Sequence, residues 1–147
     1  ADETTDSLTT RLITISNKLL IETLPKFFAG ELNPKPQDHK QATFSKKISK
    51  ANGTLKPDEY TAAELERQVR AYSGWPGSYI TIDGVLLTIK QARVSTSTAP
   101  IGKLTLKENM LLLGCKEGSL EIIQIQPAGK KPMDARGFIN GYGKILD

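Results

Sequence analysis

Tyr79-Ile-Thr-Ile82, Asp83-Gly84, Val85-Leu-Leu-Thr-Ile-Lys-Gln-Ala-Arg-Val94 decides the fold class of this 147-residue chain. Apolar and β-branched residues alternate with period two on both sides of an Asp-Gly pair. That is the pattern of two antiparallel strands joined by a two-residue turn whose central positions need positive φ. Downstream, residues 103–106 and 110–115 read as a second strand pair, Lys116-Glu-Gly118 as a turn, and residues 119–126 as a fifth strand. Residues 95–101 form a polar loop between the pairs. Short strands at this spacing predict a mainly β fold with flanking helices, a five-to-six-stranded Greek-key open barrel resembling the oligonucleotide-binding type.

Working toward the N-terminus, Trp75, Pro76 and Gly77 make a tight, rigid structural corner before the first strand. Trp75, the one tryptophan, is expected to plug the end of the barrel, since large aromatics usually carry burial. Thr61-Ala-Ala-Glu64 is a capping box opening a helix with Ala62, Leu65, Val69 and Tyr72 on one face and Arg67 and Arg70 on the other. Further upstream, Leu8, Leu12, Ile15, Leu19, Leu20, Leu24 and Phe27 recur at helical spacing, so residues 6–29 read as a long helix capped by Thr5 or Asp6. Pro25 is expected to kink or break it, and Gly30 to end it. Its broad apolar stripe has little nearby sequence to cover it, which predicts packing on a further domain. At the other end, Asp134 is placed to cap a short helix carrying Ala135, Phe138 and Ile139, ended by Gly141.

Three segments follow: residues 1–34 as the terminal helix of another, truncated domain, 35–59 as a linker, and 60–147 as the barrel domain. Pro34, Pro36, Pro57, Asn52 and Gly53 are loop chemistry, and Thr43, Phe44 and Ile48 are apolar enough to tack the linker onto a neighbour. No apolar run approaches the ~20 residues of a membrane span. The acidic N-terminus lacks the basic and apolar regions of a signal peptide. The chain reads as a piece of a larger cytoplasmic protein, itself a monomer.

Charge is distributed unevenly. Residues 1–34 hold three basic and five acidic side chains, net −2, whereas residues 35–147 hold seventeen and eleven, net +6. A basic excess on one part of a chain points to a polyanion. The candidate cations are Lys46, Lys47 and Lys50 in the linker, Arg67 and Arg70 on the helix, Lys90 and Arg93 on the second strand, and Lys130 and Lys131 after the fifth. Lys90 and Arg93 are three apart, so a regular strand would turn them to opposite faces. Such cations hold backbone phosphates without reading sequence.

Catalytic signatures are missing from the sequence. Gly74 and Gly77 flank a turn and do not open a helix, so they make no phosphate loop. Single His39, in a proline-rich loop, offers no oriented triad, and one histidine with one cysteine, Cys115, cannot complete a four-ligand zinc site. Asp58, Glu59, Glu64 and Glu66 are exposed acids near a helix start, where they favour the dipole.

Nearly the whole chain resembles the methionyl-tRNA formyltransferase family. Leu19-Leu-Ile-Glu-Thr-Leu-Pro25 and Gly30 resemble the last helix of its catalytic domain. Gln37-Asp38, Ala42-Thr-Phe44 and Lys47-Ile-Ser-Lys50 resemble its linker. Leu65-Glu-Arg-Gln-Val-Arg-Ala71 with Trp75, Pro76 and Gly77 resembles the entry to its C-terminal barrel, and Gln126-Pro-Ala-Gly-Lys-Lys-Pro-Met133 with Phe138, Asn140, Gly141 and Tyr142 resembles its closing segment. The resemblance implies a parent whose N-terminal domain takes the formyl group from 10-formyltetrahydrofolate and places it on the amino group of methionyl initiator tRNA. The catalytic Asn, His and Asp motifs of that domain have no counterpart here, so the chain is expected to be inactive alone, to use no cofactor itself, and to help hold the tRNA. Thr54-Leu-Lys-Pro57 replaces an Asp-Trp common in the family, which predicts a looser junction between linker and barrel. The alternative is an accessory barrel of a formyltransferase acting on a folate or another small molecule, with no role in RNA.

Overall fold

The computed structural model describes residues 2–146. Helix α1, Thr5–Phe28, is followed by an irregular stretch with two short 3-10 turns, then α2, Ala62–Ala71. Six strands follow: β1 Ser78–Ile82, β2 Val85–Ser95, β3 Leu104–Lys107, β4 Met110–Gly114, β5 Ser119–Pro127 and β6 Met133–Asp134. Helix α3, Ala135–Tyr142, closes the chain with a last 3-10 turn.

The strands form one antiparallel sheet in the order β1-β2-β5-β4-β3, with β6 beside the second half of β5. β3, β4 and β5 are joined by successive turns, while β2 reaches β3 by a longer connection yet lies beside β5. That is the expected Greek-key order. β1 and β3 are not paired, so the sheet stays open and does not close into a barrel. The Asp-Gly turn forms as expected, with φ of 47° at Asp83 and 78° at Gly84 and with Ile82 opposite Val85. Gly114 also has a strict steric reason: a Cβ there would lie 2.0 Å from the Pro100 carbonyl oxygen, where the long connection crosses the end of β4.

Ile80, Leu87, Ile89, Leu120, Ile122 and Ile125 lie on the inner face, all buried, with period two interrupted between Ile122 and Ile125 where the β2–β5 register shifts. Leu65 and Val69 of α2 and Phe138 of α3 complete that core. The aromatic that fills it is Phe138, at 0 % exposure, stacked on Tyr142 at 5.0 Å between ring centroids. Trp75 is 64 % exposed and plugs nothing. It lies in the turn between α2 and β1, and the inner face is already filled from α3, which the N-terminal-to-C-terminal order of the sequence does not reveal.

The rest of that turn is a corner of backbone. Pro76 follows Trp75 through a cis peptide bond and is only half-buried, outside the core cluster. Gly77, at φ 79°, then donates its amide to the Tyr72 carbonyl at 3.0 Å, so the chain turns back on the end of α2 before β1 begins. Trp75, Pro76 and Gly77 thus shape the entry to the sheet by chain direction, and their side chains do not fill it.

The helix starts follow their caps. Thr61 and Glu64 form the expected reciprocal box on α2. Asp134 accepts from the Gly137 amide, and α3 runs past Gly141 to Tyr142. On α1 the cap is Thr4, paired with Ser7, and neither Thr5 nor Asp6. Pro25 does not break α1: helix continues to Phe28, and the Ala29 amide bonds the Pro25 carbonyl at 3.0 Å. A proline this late in a helix forfeits one bond at the end of a run already established by 20 preceding residues. None of the residues of α1 is buried, including Leu12, Ile15, Leu19, Leu20 and Phe28 on its apolar surface. It is attached at its N-terminal end: the Thr5 hydroxyl donates to the Ala71 carbonyl, and Arg70 Nη1 donates to the Glu3 carbonyl at 2.9 Å. Among the described residues no helix is long and apolar enough to cross a membrane.

Candidate nucleic-acid interface

The first group of cations sits on the segment leading into the sheet. Asn52 Oδ1 accepts from the Ser49 amide at 2.7 Å and the Ser49 hydroxyl at 2.9 Å, which tightens the chain into the 3-10 turn Lys50–Gly53. The turn lies flush on the entry to β1 because Gly53 has no side chain: a Cβ there would be 2.2 Å from the Gly77 carbonyl oxygen. Thr54 bridges Tyr79 in parallel, and the Leu55 amide donates to the Tyr79 carbonyl at 2.8 Å. Leu55 is 3 % exposed and belongs to the core, so the replacement of Asp-Trp in this stretch leaves a firm junction. Phe44 and Ile48, expected to tack the segment down, are exposed, Phe44 at 94 %. The anchor is the leucine that the sequence placed among loop residues. The Tyr79 hydroxyl adds a further hold, donating to the Lys50 carbonyl at 2.8 Å. Lys46, Lys47 and Lys50 themselves stay exposed.

Lys130 and Lys131 occupy the turn between β5 and β6, both exposed. Gly129, at φ 73°, lets the chain double back so that the Lys130 amide bonds the Pro127 carbonyl at 3.0 Å. Gln126 Nε2 donates to the Lys130 carbonyl at 2.7 Å. The sheet register relates this turn to the first group. Tyr79 is opposite Thr88 across β1 and β2, and Thr88 is opposite Gln126 across β2 and β5. These three side chains form one row on the outward face, since the neighbouring rows through Ile80 and Leu87, and through Ile89 and Ile125, are buried.

Arg67 lines a groove of about 630 Å³ between α2 and the 3-10 turn, together with Asn52, Lys56, Tyr60, Gln68 and Tyr72. Gln68 Nε2 reaches the Asn52 and Thr54 carbonyls at 3.3 and 3.4 Å across its floor. Lys56 is paired there with Glu59 at 2.9 Å, and that carboxylate raises the lysine's pKa.

Arg70, Lys90 and Arg93 line a second groove, of about 520 Å³. Lys90 and Arg93 lie on the same side, against the expectation for a regular strand. The β2–β5 register shifts around Gln91, so inward positions change from Leu87 and Ile89 before the shift to Ala92 after it. A single irregularity reverses the parity of every later side chain. Arg70 is engaged by Glu66 at 2.6 Å, and Arg93 by both oxygens of Glu121 at 2.8 Å. The hydrogen bonds they donate to these carboxylates raise the pKa of both arginines. Lys46, Lys47, Lys50, Arg67, Lys90, Lys130 and Lys131 make no ion pair among the described residues.

Elsewhere, His39 is exposed in a 3-10 turn, and Cys115 is buried, which pushes its thiol up. Among the described residues no three His, Cys, Asp or Glu side chains are grouped to hold a metal ion. What the sequence did not show is the part played by Tyr79, Gln126 and Asn52, which hold the backbone beside the cations without carrying charge. Tyr79 and Gln126 are readable as outward positions of the alternation. Their alignment across three strands is not, because it depends on register.

Residues 47–143 match the family described as formyl transferase, C-terminal domain. The chain is 37 % identical over 144 residues to the methionyl-tRNA formyltransferase of Myxococcus xanthus, covering 96 % of this chain and 45 % of that protein. It is 38 % identical over 143 residues to that of Roseiflexus castenholzii, covering 95 % and 45 %. The chain thus spans about half the length of the curated relatives it matches. Among solved structures, a variant of HypX from Aquifex aeolicus superposes with a TM-score of 0.71 at 15 % identity, over 99 % of this chain and 27 % of that one. HypX in complex with tetrahydrofolic acid gives 0.63 at 16 %, over 88 % and 23 %. At such identities the likeness is one of fold.

Proposed function

The chain belongs to the formyl transferase C-terminal domain family, and from that premise we propose that it is the tRNA-docking part of a methionyl-tRNA formyltransferase. The parent enzyme would act in the cytoplasm as a monomer during translation initiation. It would move a formyl group from 10-formyltetrahydrofolate to the amino group of methionine on initiator tRNA. The chemistry would belong to the portion of the parent outside this chain, with the chain inactive by itself. The apolar surface of α1 would then rest on that portion.

The observation that carries this reading is the state of the cations. Seven of the nine candidates form no ion pair among the described residues, and five of those are lysines in two loops. Unpaired lysines held on ordered backbone bind phosphates as point charges, without reading bases. Structured RNA is recognised in that way, through shape and backbone. Binding energy gathered so far from the reacting amine serves to orient it. Arg70 and Arg93, each held by a glutamate, have structural roles in this reading.

The folate donor has no evident place in this chain. The charged side chains of the second groove include Arg70 and Arg93, both already paired, and among the described residues the buried polar atom without a partner, Thr105 Oγ1, lines neither groove.

Anisotropy of labelled initiator tRNA titrated with the chain at several salt concentrations tests the proposal. Five lysine–phosphate contacts would give a slope of log affinity on log salt of about −4. Replacing Lys46, Lys47, Lys130 and Lys131 by Gln should leave the unfolding midpoint in place and flatten that slope. Equal binding by the quadruple variant, or none by the wild type at low salt, would remove the RNA role and favour an accessory barrel for a small-molecule formyl acceptor.

A further inference from the structure

The two lysine loops lie far apart in sequence, yet each is bonded to the same row of the sheet. In both cases the group that is held is the backbone carbonyl of a lysine: Lys50 by the Tyr79 hydroxyl at 2.8 Å, and Lys130 by the Gln126 amide at 2.7 Å. Backbone anchoring fixes where the loop sits and leaves the ammonium group free to reach a ligand. Between the two anchors stands only Thr88. Neighbouring strands are about 5 Å apart, so the Tyr79 and Gln126 backbones are separated by roughly 10 Å. The next outward positions on β1 and β2, Thr81 and Leu86, add no charge, and the Ala128 amide closes this edge on the Leu86 carbonyl at 2.9 Å. The result is a neutral, hydroxyl-bearing floor with lysines on both sides and no carboxylate among its named residues. A polyanionic strand fits such a surface, and Thr88 offers a donor and acceptor for a ribose 2′-hydroxyl.

Resting on the tRNA-docking reading, we infer that the outward face of β1, β2 and β5 is a cleft for one continuous stretch of RNA backbone, with Tyr79 and Gln126 as positioning residues that set the spacing of its two lysine walls. Lys46, Lys47 and Lys50 form one wall, and Lys130 and Lys131 the other. Neither positioning residue supplies charge, so each acts through the lysines beside it.

A double-mutant cycle on the 147-residue chain, read by anisotropy with labelled initiator tRNA, tests this. Tyr79→Phe and Gln126→Met each remove one donor, and each should weaken binding roughly three- to tenfold, the scale of one net hydrogen bond. The decisive measurement is the same change made without the lysines. With Lys46, Lys47 and Lys50 all replaced by Ala, Tyr79→Phe should cost nothing further. With Lys130 and Lys131 replaced by Ala, Gln126→Met should likewise cost nothing. Unchanged binding by both single variants overturns the inference, and so does an equal penalty with and without the lysines, because the residues would then act independently of them. Unfolding midpoints accompany each variant; were Tyr79→Phe to unfold, the Gln126 arm would decide alone. Loss from the lysine changes without loss from the positioning changes sinks the inference and keeps the docking reading, whereas a wild-type chain that ignores tRNA at low salt sinks both.

Discussion

Helices α1 and α2 begin in the same way and end up in opposite environments. Each opens on a threonine capping box, Thr4 with Ser7 and Thr61 with Glu64. α1 is 24 residues long and rich in leucine and isoleucine, yet buries nothing, while α2 has 10 residues, is more polar, and buries Ala62, Leu65 and Val69. Apolar content alone therefore does not place a helix in a core. α2 is held between the sheet and the 3-10 turn at Lys50, whereas the hydrogen bonds described between α1 with its N-terminal lead and α2 lie at one end. The large exposed stripe on α1 is what supports the proposed contact with the rest of the parent, since scattered single leucines need no explanation but a contiguous face does.

The sharpest test of the comparison is a pair of leucines. Leu65→Ala on α2 should lower unfolding free energy by about 3–4 kcal/mol, through lost burial and the cavity left behind. Leu19→Ala on α1 should stay within about 0.5 kcal/mol of the wild type, as for other exposed sites. Denaturant titration of both variants would break the comparison if the two costs were similar. The linker segment offers a second pair with a smaller span. Leu55→Ala should cost about 2–3 kcal/mol and Phe44→Ala close to nothing, although phenylalanine is the larger residue. Third, Thr61→Ala should remove about 1 kcal/mol of global stability. Thr4→Ala should leave the global transition unmoved and show itself only as faster amide exchange in the first turns of α1. The smallest effect is a pH dependence. Hydrogen bonds from the Thr61 amide and hydroxyl hold the Glu64 carboxyl below its usual range. A depressed carboxylate contributes stability above its unfolded pKa, and that contribution disappears as pH falls through the folded value. The unfolding midpoint of the wild type should thus fall more on acidification than that of Glu64→Gln.

Much of the sheet was legible because its signals are local. Period-two alternation, Asp83-Gly84 and the Thr61 and Asp134 caps each state their structure within a few residues. The misreadings share a different cause. The exposure of Trp75 depends on Phe138 arriving from more than sixty residues away, and the burial of Leu55 depends on an edge of β1. The common face of Lys90 and Arg93 depends on a register shift against β5, which no single-strand pattern contains. Of the two neutralised arginines, Arg70 was legible after all, since Glu66 lies four residues before it on a helix. Arg93 was not, because Glu121 meets it only across two strands. The nine cations were readable as types, but the neutral residues that position them were not.

The attachment of α1 at one end has a mechanical consequence. At about 1.5 Å per residue its 24 residues make a rod roughly 36 Å long, so a tilt of about 10° at the Arg70–Glu3 and Thr5–Ala71 contacts carries the far end through about 6 Å. The contacts at that end would act as a pivot and the helix as a pointer. By that lever arm, a small rotation in the last turn of α2 would be magnified at the far end into a displacement as large as a full helical turn.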